Sequence, residues 1–127
     1  MNHKELNVWK EGMKLVKDVY LLLSDFPQSE QFGLCSQMRR TAISIPSNIA
    51  EGVVKHSDKE TLRYLDIALG SLAELDTQMI ISLKLNYISD YETLELRISK
   101  VRALLIGLIN YYKKQSTDIK ELRALEP

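Results

Sequence analysis

The chain has 127 residues, of which 45% are apolar and 27% charged, with only five glycines and three prolines. This size suits a single domain over residues 1–127, and the low glycine and proline content argues against loop-rich and all-β classes. Seventeen basic residues balance seventeen acidic ones, so a nucleic-acid site would have to be a local patch rather than a property of the whole surface.

The cysteine content and the apolar runs indicate a cellular setting. Cys35 is the single cysteine, which excludes an intrachain disulfide and is typical of a reducing compartment. Apolar runs stay well below the ~20 residues of a membrane span, and the first ten residues lack the apolar core of a signal peptide. We therefore expect a cytoplasmic protein without a membrane segment.

Apolar spacing and capping signals predict four helices. Asn7 is the expected N-cap of the first helix and Ser29 that of the second, which Gly52 closes. Two capping boxes, Ser57–Glu60 and Ser89–Glu92, mark the third and fourth helices. The predicted helices cover residues 8–24, 30–52, 58–86 and 90–115, and a polar tail, 116–127, follows.

The connections are short, and each helix has one continuous apolar stripe. In the third helix the stripe is interrupted by one acidic residue; its members are Leu62, Leu65, Leu69, Leu72, Asp76, Met79 and Leu83. Four such helices with short turns predict an all-α fold, an antiparallel up-down-up-down four-helix bundle.

The third and fourth helices carry more apolar surface than one bundle core can use. A core covers one stripe of each helix, so the excess indicates a homo-oligomer; in the alternative, long side chains and the tail shield this surface in a monomer. Gly70 and Gly107 fall on one level, which suggests close helix approach, room for a bulky neighbour, or coincidence. The candidate interface residues are Ile80, Ile81, Leu85, Leu104, Ile106, Ile109 and Tyr111.

The segment 39–52 is unusual for a helix interior because it contains Pro46. Proline removes one amide donor, so we expect a kink in the second helix, with nearby serine and asparagine side chains as replacement donors. A second interpretation is a polar stripe that binds a ligand, RNA or another subunit; it consists of Gln37, Arg40, Ser44, Ser47 and Glu51. Arg40 is expected either to pair with Glu74 or to be a solvated surface arginine.

The segment 37–52, followed by Leu65, Ala68, 70–72, Glu74 and Leu75, resembles the bacterial proteins encoded in 23S rRNA intervening sequences, formerly labelled S23 ribosomal proteins. The motif residues are Arg40, Ser44, Pro46, Asn48, Glu51 and Gly52. The resemblance implies a four-helix bundle that assembles as a ring-like homopentamer. The chain is also similar to the accessory variability determinants of diversity-generating retroelements, which are pentameric barrels that engage nucleic acid and a reverse transcriptase.

Patterns that carry catalysis are missing from the sequence. His3 and His56 belong to no metal-binding pattern, and Glu74 and Asp76 point in different directions on a helix, so we expect no metal, no cofactor and no enzyme activity. The leading hypothesis is a non-enzymatic oligomeric scaffold or adaptor. The alternative is an RNA- or DNA-binding accessory protein that uses a local basic patch of Arg39, Arg40, Arg97, Lys100, Lys113 and Lys114.

Overall fold

The computed structural model describes residues 1–125, and its architecture is four long α-helices. They are α1 (Asn7–Leu23), α2 (Leu34–Val53), α3 (Asp58–Lys84) and α4 (Glu92–Ala124), with 3-10 turns at His3–Glu5 and Gln28–Glu30. Each helix packs against two others, in the cyclic order α1, α2, α3, α4. No strand occurs within residues 1–125, so the predicted all-α four-helix fold is confirmed.

The core lies along the axis between the four helices. Every helix contributes side chains that are almost completely buried, and each such aliphatic side chain stabilises the fold by about 1.5–3 kcal/mol. Representative members are Leu15, Val19, Met38, Ile45, Ile49, Leu65, Leu72, Met79, Ile98, Val101 and Leu105.

The buried stripe of α3 differs from the predicted one. Leu62, Leu69 and Leu83 are only partly buried, whereas Ala68 and Leu75 are fully buried. α3 packs against α2 more extensively than against α4, and its most buried face includes Ala68 and Leu75.

Three of the four predicted helix starts differ from the structure, and those of α2 and α4 differ the most. Residues 28–30 form a 3-10 turn, and α2 begins at Leu34, whose backbone N–H donates to Glu30 Oε2 at 3.3 Å rather than to Ser29. At α4, the Glu92 N–H donates to Asp90 Oδ1 at 2.8 Å, so the predicted Ser89 cap is wrong. Ser57 does cap α3, because its hydroxyl accepts from the Glu60 N–H at 3.2 Å.

The start of α1 is also shifted by one residue, and its N-cap position is taken by Leu6, which makes no side-chain cap bond. Asn7, the predicted N-cap, is the first helical residue.

The largest difference is the length of α4, which continues to Ala124 where a polar tail was predicted from residue 116. Residues 116–124 contain neither glycine nor proline, and lysine, glutamate, leucine, arginine and alanine all favour helix. The last two tail positions, 126 and 127, lie outside the described residues. Within residues 1–125 no helix has the apolar length that a membrane crossing requires.

Candidate partner-binding surfaces

A row of polar side chains joins α2 to α3. The Ser44 and Ser71 hydroxyls are hydrogen-bonded to each other at 2.8 Å, and Asn48 Nδ2 donates to the Ser44 carbonyl and hydroxyl oxygens at 2.8 and 2.9 Å. The row continues to buried Gln78, whose Nε2 donates to Thr41 Oγ1 at 3.1 Å. The motif residue Ser44 therefore bonds α2 to α3, and Asn48 holds Ser44 from within α2.

Pro46 is accommodated inside α2, which continues through it from Leu34 to Val53. Its ring is buried on the side that faces α1, and a Cβ added to Gly12 of α1 would lie 3.5 Å from the Pro46 Cβ. Asn48, one of the expected replacement donors, bonds to the Ser44 carbonyl rather than to that of Ala42. Pro46 thus serves the packing of α1 on α2.

Gly52 allows close approach between α2 and α3 instead of ending a helix. It lies inside α2, and an added Cβ would be 3.0 Å from the Tyr64 Cβ and 3.1 Å from the Thr61 carbonyl oxygen. The Thr61 hydroxyl also donates to the Gly52 carbonyl at 2.8 Å. Two motif residues, Ser44 and Gly52, therefore contact α3 directly, and Asn48 supports Ser44 from within α2.

The two charged motif residues remain on the surface. Arg40 is exposed and forms no ion pair with Glu74 or any other acid within residues 1–125, so the predicted pair is absent. Glu51 is also exposed and pairs with Lys55 one turn later, at 3.3 Å. Of the alternatives for Arg40, the structure shows the surface arginine.

Arg39 points away from Arg40, toward α1. Its Nη2 donates to Gln31 Oε1 at 2.8 Å, and its guanidinium lies 5.9 Å from the centre of the Tyr20 ring. Because these partners occupy the side chain, Arg39 belongs to the contact between α1 and α2.

Arg97 and Lys100 hold α4 against α1 through an acidic pair that the sequence reading missed. Arg97 Nη1 lies 3.0 Å from Glu11 Oε2 and its Nε contacts Asp18, while Lys100 Nζ lies 3.2 Å from Glu11 Oε1. The signal available in the sequence was Glu11 itself, since the residue lies between Val8 and Leu15 on the apolar face of α1.

The environment of Glu11 favours its charged form. Burial raises the pKa of this carboxyl, but hydrogen bonds from Lys100 and Lys14 outweigh burial and hold the pKa below its ordinary value. Glu11, Arg97, Lys100 and Lys14 thus form an ion-pair network around a buried carboxylate, with both lysine side chains extending into solvent.

The six candidate nucleic-acid contacts do not form one patch. Lys113 and Lys114 are exposed on α4, but they lie sixteen and seventeen residues after Arg97, roughly 25 Å along the helix. Arg39 is engaged with Gln31 and Tyr20, and the Arg97 cluster faces α1. Of the six, only Arg40 on α2 and Lys113 and Lys114 on α4 have side chains without an ion pair or hydrogen bond within residues 1–125, and α2 and α4 are not neighbours in the bundle.

The candidate interface residues separate into three environments. Ile109 is buried in the core and only 4% exposed, so it does not belong to an outer face. Leu104 and Tyr111 line a groove of about 280 Å³ with Leu6 and Val8, on the side of α4 that faces α1.

The remaining candidates, which are 40–50% exposed, lie on the outer surface of α3 and α4; they are Ile80, Ile81, Leu85 and Ile106. We call these four residues, together with Gly70, the α3–α4 outer face. A Cβ added to Gly70 would meet no atom within 4 Å, so this mid-helix glycine serves no close approach inside the chain. Gly107 is equally open and lines the groove beside Tyr111.

The structure also defines the chemistry of its reactive side chains. Among residues 1–125 no group of three or more histidine, cysteine, aspartate or glutamate side chains is placed to hold a metal ion. Cys35 is completely buried, and burial raises the pKa of its thiol, which disfavours the nucleophilic thiolate.

Comparison with known proteins identifies the family. The family model described as 23S rRNA-intervening sequence protein matches residues 4–107. A solved structure from Bacteroides thetaiotaomicron, a protein with unknown function from the S23 ribosomal protein family, has the same fold, with a TM-score of 0.71 and 23% sequence identity. The alignment covers 80% of this chain and 97% of that one.

No curated protein matches the sequence. The family match covers most of the chain, including the motif that packs α2 on α3. The chain therefore belongs to the family of 23S rRNA-intervening sequence proteins.

Proposed function

We propose that this protein is a non-enzymatic scaffold or adaptor whose subunits associate through the α3–α4 outer face. The observation that carries the proposal is the set of isoleucine and leucine side chains on that face, 40–50% exposed although the bundle core is complete without them. Several exposed large apolar side chains on two neighbouring helices are typical of protein interfaces.

Gly70 supports the same proposal. A glycine in a helix interior costs about 1 kcal/mol relative to alanine, and nothing inside the chain requires its missing side chain. A helix of a second subunit that approaches α3 closely at this point accounts for it. By resemblance to the family we expect a ring of five subunits.

The experiment measures the mass of the assembly in solution. Sedimentation velocity of the wild-type chain at micromolar concentration should show an oligomer, and the double variant Ile80→Lys/Ile106→Lys should sediment as a markedly smaller species because two desolvated lysines oppose burial of the face. A wild-type monomer would overturn the proposal.

A matched control is Ile43→Lys on α2. Ile43 is 43% exposed, close to the 40% and 42% of Ile80 and Ile106, but it lies in a groove between α1 and α2. We expect this variant to keep the oligomer. Dissociation by Ile43→Lys as well would point to a different interface.

A further inference from the structure

We propose that the C-terminal part of α4 pairs antiparallel with the same segment of a second copy of this chain. The family match ends at residue 107, whereas α4 continues to Ala124. Residues 108–125 thus lie beyond the part that the family model matches, and this contact is separate from the α3–α4 outer face.

The segment carries a largely apolar stripe that begins at Leu108, which packs against the core, and that becomes exposed toward the end of the helix within residues 1–125. At 3.6 residues per turn, its members fall within a sector of about 120°; they are Leu108, Tyr111, Gln115, Ile119, Leu122 and Leu125. The exposed fraction rises along the stripe, from 45% at Ile119 to 64% at Leu122 and 81% at Leu125. Helical turns without tertiary contacts are only marginally stable in water, so a partner that covers this stripe would stabilise the end of α4.

The direction of the stripe limits where that partner lies. Arg97, Lys100 and Leu104 are on the same side of α4, and this side faces α1 through Glu11 and the groove beside Val8. The N-terminal segment covers α4 as far as Tyr112, whose hydroxyl lies 3.9 Å from the Met1 sulfur. A partner helix must therefore continue the line of α1 beyond its first turn.

This position excludes a parallel partner. In a parallel pair, the preceding turns of the second α4 would occupy the space of α1 in the first copy. In an antiparallel pair the second bundle lies beyond the end of the first, and both stripes are covered. One two-fold axis then relates the copies, as in most homodimers.

Charge complementarity supports the antiparallel register. Lys114, Asp118 and Glu121 lie along one edge of the stripe, and an antiparallel pair brings this edge against its own copy. When Leu122 lies over Tyr111 of the second copy, Lys114 comes level with Asp118 and within one turn of Glu121 of that copy. The two-fold axis generates each of these opposite-charge pairs twice.

The test uses disulfides between introduced cysteines. The double variant Tyr111→Cys/Leu122→Cys should form a covalent dimer on mild oxidation, because the register places residue 111 of one chain beside residue 122 of the other. Each single variant should remain uncrosslinked, since equivalent residues of the two copies would be roughly 16 Å apart along the axis. Crosslinking of Leu122→Cys alone, or an uncrosslinked double variant, would overturn the proposal.

Two further measurements separate this contact from others. Thr117→Cys, on the opposite side of the helix, should not crosslink, and neither should the wild-type chain with its buried Cys35. Adding Lys114→Glu to the double variant should lower the yield of disulfide-linked dimer several-fold. Adding Asp118→Lys and Glu121→Lys as well should restore it. A crosslinking yield that stays the same after both changes contradicts the register.

The substitutions Ile80→Lys and Ile106→Lys should leave the crosslink in place. A failure of the proposed scaffold interface is thus distinguishable from a failure of this one. Circular dichroism of each variant shows whether the helices are retained.

Discussion

At Gly52 the approach of α3 to α2 leaves little room for a side chain. Gly52→Ala places a Cβ 3.0 Å from Tyr64 and 3.1 Å from the Thr61 carbonyl, and such overpacking costs about 1–3 kcal/mol. We expect the free energy of unfolding in urea to fall by this amount.

Gly12→Ala is the matched control for this prediction. Its added Cβ meets Pro46 and Ile45 at ordinary contact distances of 3.5–3.8 Å, and alanine favours helix. Its stability should be unchanged or higher by up to about 1 kcal/mol. Equal losses in the two variants would show that the approach of α3 to Gly52 is not the cause.

Glu11 makes the stability of the bundle depend on pH. Its pKa in the folded protein is below the ordinary value because Lys100 and Lys14 donate to it, despite burial. A carboxyl whose folded pKa is lowered stabilises the fold above its unfolded pKa, about 4.3, and this contribution is lost as the pH falls through the folded pKa. Unfolding at a series of pH values should therefore show stability falling below about pH 4.3.

Glu11→Gln removes this dependence. The variant should lose about 1–3 kcal/mol at pH 7, since it leaves Lys100 and Lys14 without their carboxylate acceptor and Arg97 with Asp18 alone. Its stability should vary less between pH 5 and pH 3. Glu60→Gln is the control, because Glu60 is exposed and its contact to Arg63 is on the surface; its effect should be within about 0.5 kcal/mol.

At the scale of elements, one partly buried hydrogen bond links α3 to the start of α4. The Tyr91 hydroxyl donates to the Asp76 carboxylate, and burial together with this bond strongly raises the pKa of Tyr91. Tyr91→Phe should lower the free energy of unfolding by about 1–3 kcal/mol, because it leaves a partly buried carboxylate without its donor.

A double-mutant cycle with Asp76→Asn measures the coupling between these two residues. Tyr111→Phe provides the comparison, since its hydroxyl bonds to Gln115 in an exposed position, and we expect little change there. Additive effects of Tyr91→Phe and Asp76→Asn would argue against a shared contribution from this bond.

The same contact explains why Asp76 interrupts the apolar stripe predicted for α3. Periodicity placed Asp76 toward the interior, and the side chain is partly buried there, but the partner that makes this tolerable precedes a different helix. Sequence spacing predicts which face a residue lies on; it does not predict a hydrogen bond between residues fifteen positions apart.

Helix boundaries were likewise predicted correctly where they depend on neighbouring residues alone, and not where other contacts determine them. The serine cap of α3 follows from local chemistry and was predicted, whereas α2 starts four residues late because Glu30 rather than Ser29 supplies the acceptor. The continuation of α4 was missed because its polar composition suggested a tail, although each of its residues is compatible with helix.

At the scale of the whole molecule, the sequence predicted four helices and an excess of apolar surface, but not how that surface is divided. Ile109 belongs to the core, Tyr111 to the side that faces α1, and Ile80 to the α3–α4 outer face. The basic residues are divided as well, because Arg97 is paired with Glu11 and Asp18. A single-helix pattern cannot assign such sides, since they depend on which helices are neighbours.

Gly70 provides the prediction that distinguishes folding from assembly. Gly70→Gln replaces an exposed helix-interior glycine with a better helix former, so the chain's own unfolding free energy should rise by up to about 1 kcal/mol. The added side chain meets no atom of the same chain, but it would obstruct a helix of a second subunit at the α3–α4 outer face. An overpacking cost of about 1.4 kcal/mol at one interface corresponds to a tenfold weaker association.

Sedimentation over a range of concentrations should therefore show the Gly70→Gln assembly dissociating at concentrations about tenfold higher than wild type, while its urea unfolding is at least as stable at concentrations where both are monomeric. Lys17→Gln, at an exposed position of α1, should change neither the association nor the free energy of unfolding, because the substitution lies away from this face. Unchanged association of Gly70→Gln would mean that no second subunit approaches α3 at this position. The presence of a glycine in the interior of α3 would then have another cause.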